Sequence, residues 1–348
     1  MNLPASPLRL RLDKSALVAN WRWLKQQSGS AACGAAIKAD GYGTDAAGAL
    51  QYLADAGCRD FFVATWAEAL ALLPLAKGLS LSVLHGLREE DMPVARQAGI
   101  KPVLNTVQQI QRWKDAGGGP CDVMVDTGIN RLGLSMDEAL GQVLDGLQIR
   151  TLMSHLACAD TDHPLNMLQL DRFSRLRPTI SAERYSLANS AGICLGRDYA
   201  FDLTRPGLAL YGGVPRDEAR GHIRQVAFPE AEILQRKTVR AGEGIGYNAT
   251  LMAPRDMELA ILNIGYADGY LRNFSNKGAA LATDGTVLPV AGRVSMDLLI
   301  IDVSMQPELK EGDWVTIDYV LEQASALSGL SQYELLTGLG ERFERYWQ

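Results

Sequence analysis

Histidine, cysteine and aromatic residues are scarce in this 348-residue chain, which has four His, five Cys and 7% aromatic residues. It also lacks any run approaching the roughly 18 consecutive apolar residues of a transmembrane helix. The formal charge of −6 and the absence of a Lys/Arg cluster argue against nucleic acid as the main partner. The alternation in Leu8–Leu12 is typical of a strand and not of a signal segment. The composition therefore predicts a soluble, cytoplasmic globular protein.

The cysteines are odd in number and widely spaced, and no CxxC pair occurs among Cys33, Cys58, Cys121, Cys158 and Cys194. A disulfide framework is therefore not expected, and reduced thiols in a cytosolic protein are the better interpretation. His155 and Cys158 have an interval compatible with metal binding, but no further His/Cys cluster completes a zinc site. We expect no metal.

Short apolar segments alternate with amphipathic helical segments up to about residue 210, which is typical of parallel β/α repeats. Eight such repeats close into a barrel, so the sequence predicts an α/β fold with an N-terminal (β/α)8 TIM barrel. The alternative is an open doubly wound sheet, but no GxGxxG motif follows the first strand. The expected strands are Ala32–Lys38, Phe61–Ala64, Leu79–Leu84, Lys101–Leu104, Asp122–Val125, Arg150–Ser154, Tyr185–Ala188 and Phe201–Thr204.

After about Gly221 the sequence changes to short strands separated by Gly, Asp and Asn turns, with helical periodicity only near the end. We therefore expect two domains, a barrel over residues 1–222 and a mostly β C-terminal domain over residues 223–348. The strand near residues 7–13 is a candidate to pack with the C-terminal domain.

Polar residues gather after the predicted barrel strands, at the ends where the active sites of this fold lie. Lys38 ends the first strand, and a partly buried lysine can lose its proton and form a Schiff base. Arg131 follows the fifth strand, and His155 follows the sixth. Each signal is weak alone, but their occurrence in order on successive strands predicts an active site at the barrel mouth.

The segments after the last two barrel strands suit a phosphate group. Asn189 and Ser190 follow the seventh strand, and Arg205, Gly207 and Leu208 follow the eighth. The Ser190 hydroxyl and the backbone N–H groups of Gly207 and Leu208 are donors at a place where barrels often bind phosphate.

Three motifs in the C-terminal half complete the set: Gly246-Tyr247, Ile264–Tyr270 and Gly292–Asp297. Together with the segment around Lys38 and the Arg-Pro-Gly of residues 205–207, they make the chain resemble alanine racemase over nearly its whole length. That family uses pyridoxal 5'-phosphate (PLP) to interconvert L- and D-alanine.

The resemblance implies a homodimer with shared active sites and a two-base mechanism. Lys38 would hold PLP and act as one base, and Tyr247 of the partner subunit would act as the other. A tyrosine with a reference pKa near about 10 needs assistance, for which His155 and Arg205 are candidates. Arg205 is also expected to hydrogen-bond the pyridine nitrogen and, since it keeps its proton, to weaken the electron sink in favour of racemisation.

The same resemblance assigns further binding residues. Tyr42, Ser190, Gly207 and Leu208 match the phosphate-binding positions, with His155 and Asn189 also beside the cofactor. Arg131 matches the residue at the PLP hydroxyl and the substrate carboxylate, and Met296 of the partner subunit matches a second residue at that carboxylate. Tyr266 and Asp297 match residues that narrow the substrate entrance, which would admit alanine and resist larger substrates.

The chain departs from the family at four positions. Met124 stands where many members have a carbamylated lysine, so another group must position Arg131; Asn130, a water or an anion are the alternatives. Asn248 follows Tyr247 where glycine is usual, and asparagine tolerates left-handed backbone. Ser295 replaces a common cysteine, and Glu341 occupies the place of an active-site tyrosine in some members.

Other functions remain as alternatives at this stage. A broader-specificity racemase acting on serine or other small amino acids would use the same residues. A single-barrel PLP-binding protein would have no need of the C-terminal motifs with Tyr247 and Met296. A PLP decarboxylase is disfavoured by Arg205, because the decarboxylases of this barrel fold use an acidic residue at that place.

Overall fold

The computed structural model describes residues 5–96 and 99–348, and the chain divides into two compact units. The first unit is Ala16–Arg224, and the second combines Gln225–Gln348 with the N-terminal residues up to Ser15. Each unit contains its own sheet, with parallel strands in the first and mainly antiparallel strands in the second.

Eight parallel strands of the first unit close into a barrel, as the sequence predicts. Seven of them pair in chain order, and the pairing of Leu203 and Thr204 with Ala32 and Cys33 closes the circle. The Arg205 N–H donates to the carbonyl beyond the seventh strand, that of Ala188, at 2.9 Å. In chain order the strands are Ala32–Cys33 continued by Ala35–Ala36, Asp60–Val63, Ser80–Val83, Lys101–Leu104, Pro120–Met124, Gln148–Met153, Arg184–Ser186 and Leu203–Thr204.

Four of the strands are shorter than expected, and in the first and the eighth the local backbone gives the reason. The first ends at Ala36, and Lys38 already belongs to a turn with left-handed backbone. The eighth begins only at Leu203, because Phe201 has a φ of 51°, which no strand residue adopts.

Helices follow most of the barrel strands, and several begin at a residue whose side chain accepts a backbone N–H. Thr65 and Ser135 do so within reciprocal capping boxes completed by Glu68 and Glu138. The helices of this part of the chain are Lys14–Gln27, Ala46–Asp55, Trp66–Leu72, Met92–Ala95, Val107–Asp115, Met136–Leu140, Pro164–Leu176 and Ser190–Cys194.

Two adjacent strands, Leu8–Leu12 and Ala227–Val239, lie at the centre of the sheet of the second unit. Leu8–Leu12 lies between Ala227–Val239, to which it is antiparallel, and Glu344–Trp347, to which it is parallel. Its leucines alternate inward and are buried, while Arg11 on the other face donates to Glu230 at 2.8 Å. The remaining strands are Gly244–Ile245, Leu251–Met252, Met257–Leu262, Ala279–Leu281, Val287–Pro289, Leu299–Asp302 and Trp314–Ile317, followed by the helices Leu321–Ser328 and Gln332–Thr337.

An ion pair connects the amino ends of two distant barrel strands. Asp60 begins the second strand and Arg184 begins the seventh, and the guanidinium donates to both carboxylate oxygens at 2.6 and 2.9 Å. Burial alone would raise the pKa of Asp60, but the hydrogen bonds and charge of Arg184 hold it below its ordinary value. The pair therefore stabilises the barrel at the end opposite to the predicted active site.

Replacing Asp60 with Asn should destabilise the protein, because Arg184 keeps its charge and loses its bidentate partner. We expect the free energy of unfolding, measured by urea denaturation, to fall by about 1–3 kcal/mol. The matched control is Arg175→Ala, which removes an exposed pair with Asp171 and should cost less than about 1 kcal/mol. Equal losses in the two variants would contradict a special contribution of the Asp60 pair.

Candidate active site

Lys38 leaves the first barrel strand through a left-handed turn. The next four residues, Ala39, Asp40, Gly41 and Tyr42, have φ angles of 52°, 51°, 61° and 57°. A residue with a Cβ atom costs about 1–2 kcal/mol in this conformation, so a run of this kind persists only where surrounding contacts hold it.

Two carboxylates hold the turn at its two ends. Glu68 accepts a hydrogen bond from the Ala39 N–H at 2.8 Å, and Asp40 accepts one from the Ala46 N–H at 2.9 Å. The backbone after Lys38 is thus held by Glu68 at its first peptide and by Asp40 a few residues further on.

The environment of Lys38 favours the neutral amine. Burial, and then the positive charge of Arg131, hold the pKa of the Lys38 amine below its ordinary value, while Glu68 acts in the opposite direction. A lowered pKa makes the neutral, nucleophilic form of the amine easier to reach than in an exposed lysine.

Arg205 lies inside the barrel and is almost completely buried, with 6% of its surface exposed. Its Nη1 donates to the Ser186 hydroxyl, and its Nη2 donates to the Ser154 carbonyl at 2.6 Å. Burial lowers the pKa of Arg205 to about 10, which still leaves it protonated at neutral pH. Arg205 is therefore a fixed cation and hydrogen-bond donor, as the sequence analysis requires.

His155 follows the sixth strand, in the same electrostatic environment. Burial lowers the pKa of His155 to about 3. The positive charges that add to this effect belong to Arg205, Arg131 and Lys38. The structure thus brings together four side chains that the sequence placed on four different strands.

The buried side-chain amide of Gln169 contacts the segments that follow the fifth and the sixth barrel strands. The Gln169 side chain donates to the His155 carbonyl at 2.9 Å and to the Thr127 hydroxyl at 3.2 Å, and it accepts from the Ala157 N–H at 2.8 Å. Sequence reasoning missed Gln169, because it lies on the helix Pro164–Leu176 and not at a strand end.

Asp126 shapes the loop that carries Arg131. Its Oδ1 accepts from the N–H groups of Gly128 and Asn130 at 2.8 and 3.2 Å, and its Oδ2 accepts from the Arg131 N–H at 3.0 Å. Met124 is buried and contributes no charge. The backbone before Arg131 is therefore held by the carboxylate of Asp126, which lies two residues after Met124. The sequence analysis did not consider Asp126 for this role.

The residues expected to bind phosphate lie close together around Gly207. A Cβ atom at position 207 would lie 2.1 Å from the Tyr42 hydroxyl, so only glycine permits this approach. The Tyr42 ring stacks on Tyr211 with centroids 5.0 Å apart. The Ser190 hydroxyl oxygen accepts from the Gly207 N–H at 2.9 Å, which leaves the hydroxyl proton to be donated elsewhere.

Asn189 has a local structural contact. Its side-chain oxygen accepts from the Gly192 N–H at 2.8 Å and thereby caps the helix Ser190–Cys194. Leu208 is buried and begins a short 3₁₀ turn, Leu208–Tyr211, directly after the Gly207 cradle.

In the second unit, Tyr247 lies at the tip of a hairpin formed by Gly244–Ile245 and Leu251–Met252. Its side chain is 63% exposed, whereas Ile245 anchors the hairpin in a buried cluster. Asn248 has a φ of 61°, so asparagine sustains left-handed backbone directly after Tyr247, as the sequence analysis expected.

The other predicted residues of the second unit share one loop cluster. The N–H groups of Tyr266 and Ala267 donate to the carbonyls of Ser295 and Met296, both at 3.0 Å. Gly265 is required here, because a Cβ atom would lie 2.3 Å from the Met296 carbonyl oxygen. Like Tyr247, the Met296 side chain is exposed.

Asp297 is held by an arginine that the sequence analysis did not name. Arg342 donates to Asp297 at 2.7 Å and to the buried Asp268 at 2.6 Å. The neighbouring Glu341 is exposed.

The donors of the first unit fit PLP in number and kind. Lys38 provides an amine with a lowered pKa, Arg205 a permanently charged donor, and Ser190 and Tyr42 hydroxyl groups beside a cradle that a Cβ atom would fill. The amine suits the aldehyde of PLP, the guanidinium suits its ring nitrogen, and the hydroxyl groups suit its phosphate.

Comparison with known proteins identifies the family. Two family profiles match, the alanine racemase N-terminal domain over residues 12–215 and the alanine racemase C-terminal domain over residues 226–347. The chain belongs to the alanine racemase family. It is a PLP-dependent isomerase that interconverts L- and D-alanine, so the fold, cofactor and activity expected from the sequence are confirmed.

Individual relatives match over nearly their full length. The biosynthetic alanine racemase of Agrobacterium fabrum is 39% identical, over 98% of this chain and 94% of that protein. The catabolic alanine racemase of the same organism is 40% identical, over 97% and 91%. The crystal structure of alanine racemase from Bartonella henselae with covalently bound pyridoxal phosphate has a TM-score of 0.90 and 35% identity, and the match covers 99% of this chain and 100% of that one.

None of the cysteines is among the predicted residues of the racemase site. All five are free thiols, and burial raises the pKa of Cys33 and Cys121 to about 12, which keeps these two protonated and unreactive. Within residues 5–96 and 99–348, no three His, Cys, Asp or Glu side chains converge to hold a metal ion. No helix in that part of the chain is long and apolar enough to cross a lipid bilayer.

The low pKa of His155 should appear in the pH dependence of stability. The unfolded chain takes up a proton below a pKa near 6.5, whereas folded His155 does so only near 3, so stability is lost as the pH falls between these values. We expect His155 to account for a loss of about 2 kcal/mol in the free energy of unfolding at pH 5 relative to pH 7. Urea denaturation of His155→Asn should lack this part of the loss; an equal pH dependence in both proteins would contradict it.

Proposed function

We propose that the two bases of this racemase are Lys38 and Tyr247 of the partner subunit. Racemisation removes the Cα proton from one face of the substrate and returns a proton to the other, so one base is needed on each face. The observation that carries the proposal is Lys38 itself, which is only partly exposed, has a lowered pKa and lies within electrostatic reach of Arg131 and His155. Bound PLP supplies the electron sink that acidifies the substrate Cα proton.

The residues that would hold PLP divide into three sets. Lys38 would bind it covalently, Tyr42 and Ser190 would donate to its phosphate, and Arg205 would donate to its ring nitrogen. Because Arg205 retains its proton with a pKa near 10, it donates a hydrogen bond without transferring the proton. Four further residues would lie next to the cofactor: Gly207, Leu208, His155 and Asn189.

Tyr247 is suited to act on a neighbouring subunit. It projects from a hairpin tip with most of its side chain exposed, and Met296 is exposed on a loop of the same unit. A homodimer would cover these side chains and deliver them to the partner's barrel. The proposed working unit is therefore a homodimer with two shared active sites.

Substrate binding is assigned to Arg131 and to Met296 of the partner subunit, both at the substrate carboxylate. Arg131 is exposed on a loop whose backbone is fixed by Asp126, so the guanidinium can meet an incoming anion without reorganising the loop. Tyr266 and Asp297 would line the entrance, where Arg342 holds the Asp297 carboxylate in place.

We further propose that the enzyme works in the cytoplasm. Five free cysteines, three of them buried, are the usual cysteine content of a protein from a reducing compartment.

The two proposed bases give distinct variants. Lys38→Ala should lose both racemase activity and the absorbance of protein-bound PLP. Tyr247→Phe should keep that absorbance and lower kcat by a factor of about 10²–10⁴, the usual contribution of a general acid or base. Full activity of Lys38→Ala would refute the assignment, and loss of PLP from Tyr247→Phe would show that Tyr247 is structural.

Mixing the two variants tests the shared site. In a heterodimer of Lys38→Ala and Tyr247→Phe subunits, one site combines both wild-type residues and the other combines both substitutions. Random reassociation should therefore restore about one quarter of wild-type activity. No recovery, with heterodimers verified by mass, would place both bases in the same subunit.

The breadth of the substrate range separates an alanine racemase from a broader enzyme. We expect kcat/KM for L-serine to be lower than for L-alanine by a factor of about 10–200, since small size differences discriminate weakly. L-lysine should give no product by chiral chromatography. Comparable turnover of L-alanine and L-lysine would instead support the broader-specificity alternative.

A further inference from the structure

The predicted site residues do not explain what holds the turn after Lys38 in its left-handed conformation. Ala39 starts a run of left-handed residues, yet alanine has no intrinsic preference for this conformation. Something outside the turn must therefore hold its first peptide, and the direction of the Lys38 side chain depends on that support.

The Glu68 carboxylate provides this support. Its Oε1 accepts from the Ala39 N–H at 2.8 Å, and its Oε2 accepts from the N–H groups of Ala64 and Thr65 at 2.7 and 3.1 Å. Glu68 thus connects the segment after the first barrel strand to the segment after the second.

The Glu68 side chain is itself held in place. It occupies the third position of the helix Trp66–Leu72, where its own N–H donates to the Thr65 hydroxyl at 3.3 Å in a capping box. The carboxylate does the usual work of a capping box through one oxygen, and the second oxygen is directed to Ala39. The capping motif alone explains only the first of these contacts.

Charge adds to the geometry. Glu68 is a nearby negative charge for Lys38, in a site where Arg131 and burial both disfavour the protonated amine. An amide at position 68 would remove that charge, and it would have one acceptor oxygen for N–H groups on two different segments.

We propose that Glu68 is a positioning residue of the racemase, which fixes the left-handed turn and thereby the place from which the Lys38 amine acts. The inference rests on the proposed role of Lys38 for its effect on catalysis. The dependence of the turn on Glu68, which is the structural part of the inference, does not rest on that role.

The test is Glu68→Gln in the PLP-loaded enzyme, read first by hydrogen exchange of the peptide that covers residues 38–44. We expect the Ala39 amide and its neighbours to exchange about tenfold faster or more, as follows from the loss of a charge-assisted hydrogen bond. The matched control is Glu334→Gln, the same substitution in the capping box with Ser331, which should leave this peptide unchanged. Thr65→Ala is the second control, since it weakens the same helix start without removing the bond to Ala39.

The second readout is the pH profile of kcat and kcat/KM for L-alanine. In Glu68→Gln the limb that belongs to Lys38 should move to lower pH, because a negative charge that favours its protonated form is gone. We expect kcat to fall about tenfold with a much smaller change in KM, since the substrate contacts are not altered.

A rescue variant keeps the test decisive if Glu68→Gln folds poorly. Ala39→Gly removes the steric cost of the left-handed conformation, so the double variant Ala39→Gly/Glu68→Gln should recover part of the exchange protection and of kcat. Wild-type exchange in Glu68→Gln, an unshifted pH limb or the absence of rescue would each overturn the proposal. An active Lys38→Ala enzyme combined with a loosened turn in Glu68→Gln would instead refute only the role of Lys38.

Discussion

Closure of the barrel is the constraint on which the whole site depends. The eighth strand has only two residues, yet its pairing with Ala32 and Cys33 joins segments that are about half the chain apart. That pairing brings Gly207 beside Tyr42, because both segments emerge at the same rim. The Gly207–Tyr42 approach shows how close the two become, since no side chain larger than hydrogen fits between them.

The electrostatics of the site follow from this crowding. Lys38, Arg131, His155 and Arg205 are all basic, and the positive charges of the other three act on His155 at the barrel mouth. The weaker bases respond by giving up protons more readily, and Arg205 alone is basic enough to remain charged under full burial. A mouth of this kind has a positive potential that favours a cofactor phosphate and a substrate carboxylate.

The acidic residues near the rim contribute to backbone geometry. Glu68, Asp40 and Asp126 each accept backbone N–H groups, and each thereby shapes a loop that carries a basic side chain. Asp126 explains how the loop of Arg131 has a fixed backbone in this chain although Met124 supplies no charge. The chain thus uses carboxylates that accept backbone N–H groups to shape the loops of its basic side chains.

The sequence by itself determined the class of fold and the residue types of the site. Alternating apolar runs predicted the strands, and reactive residues at strand ends predicted the active site, because parallel strands bring their carboxyl ends to one rim. The tertiary structure decided the rest. It showed that Lys38 lies in a left-handed turn, that Gln169 and Arg342 hold residues distant in the chain, and that Ser190 accepts from Gly207. Such contacts join segments far apart in sequence, so no local periodicity or spacing records them.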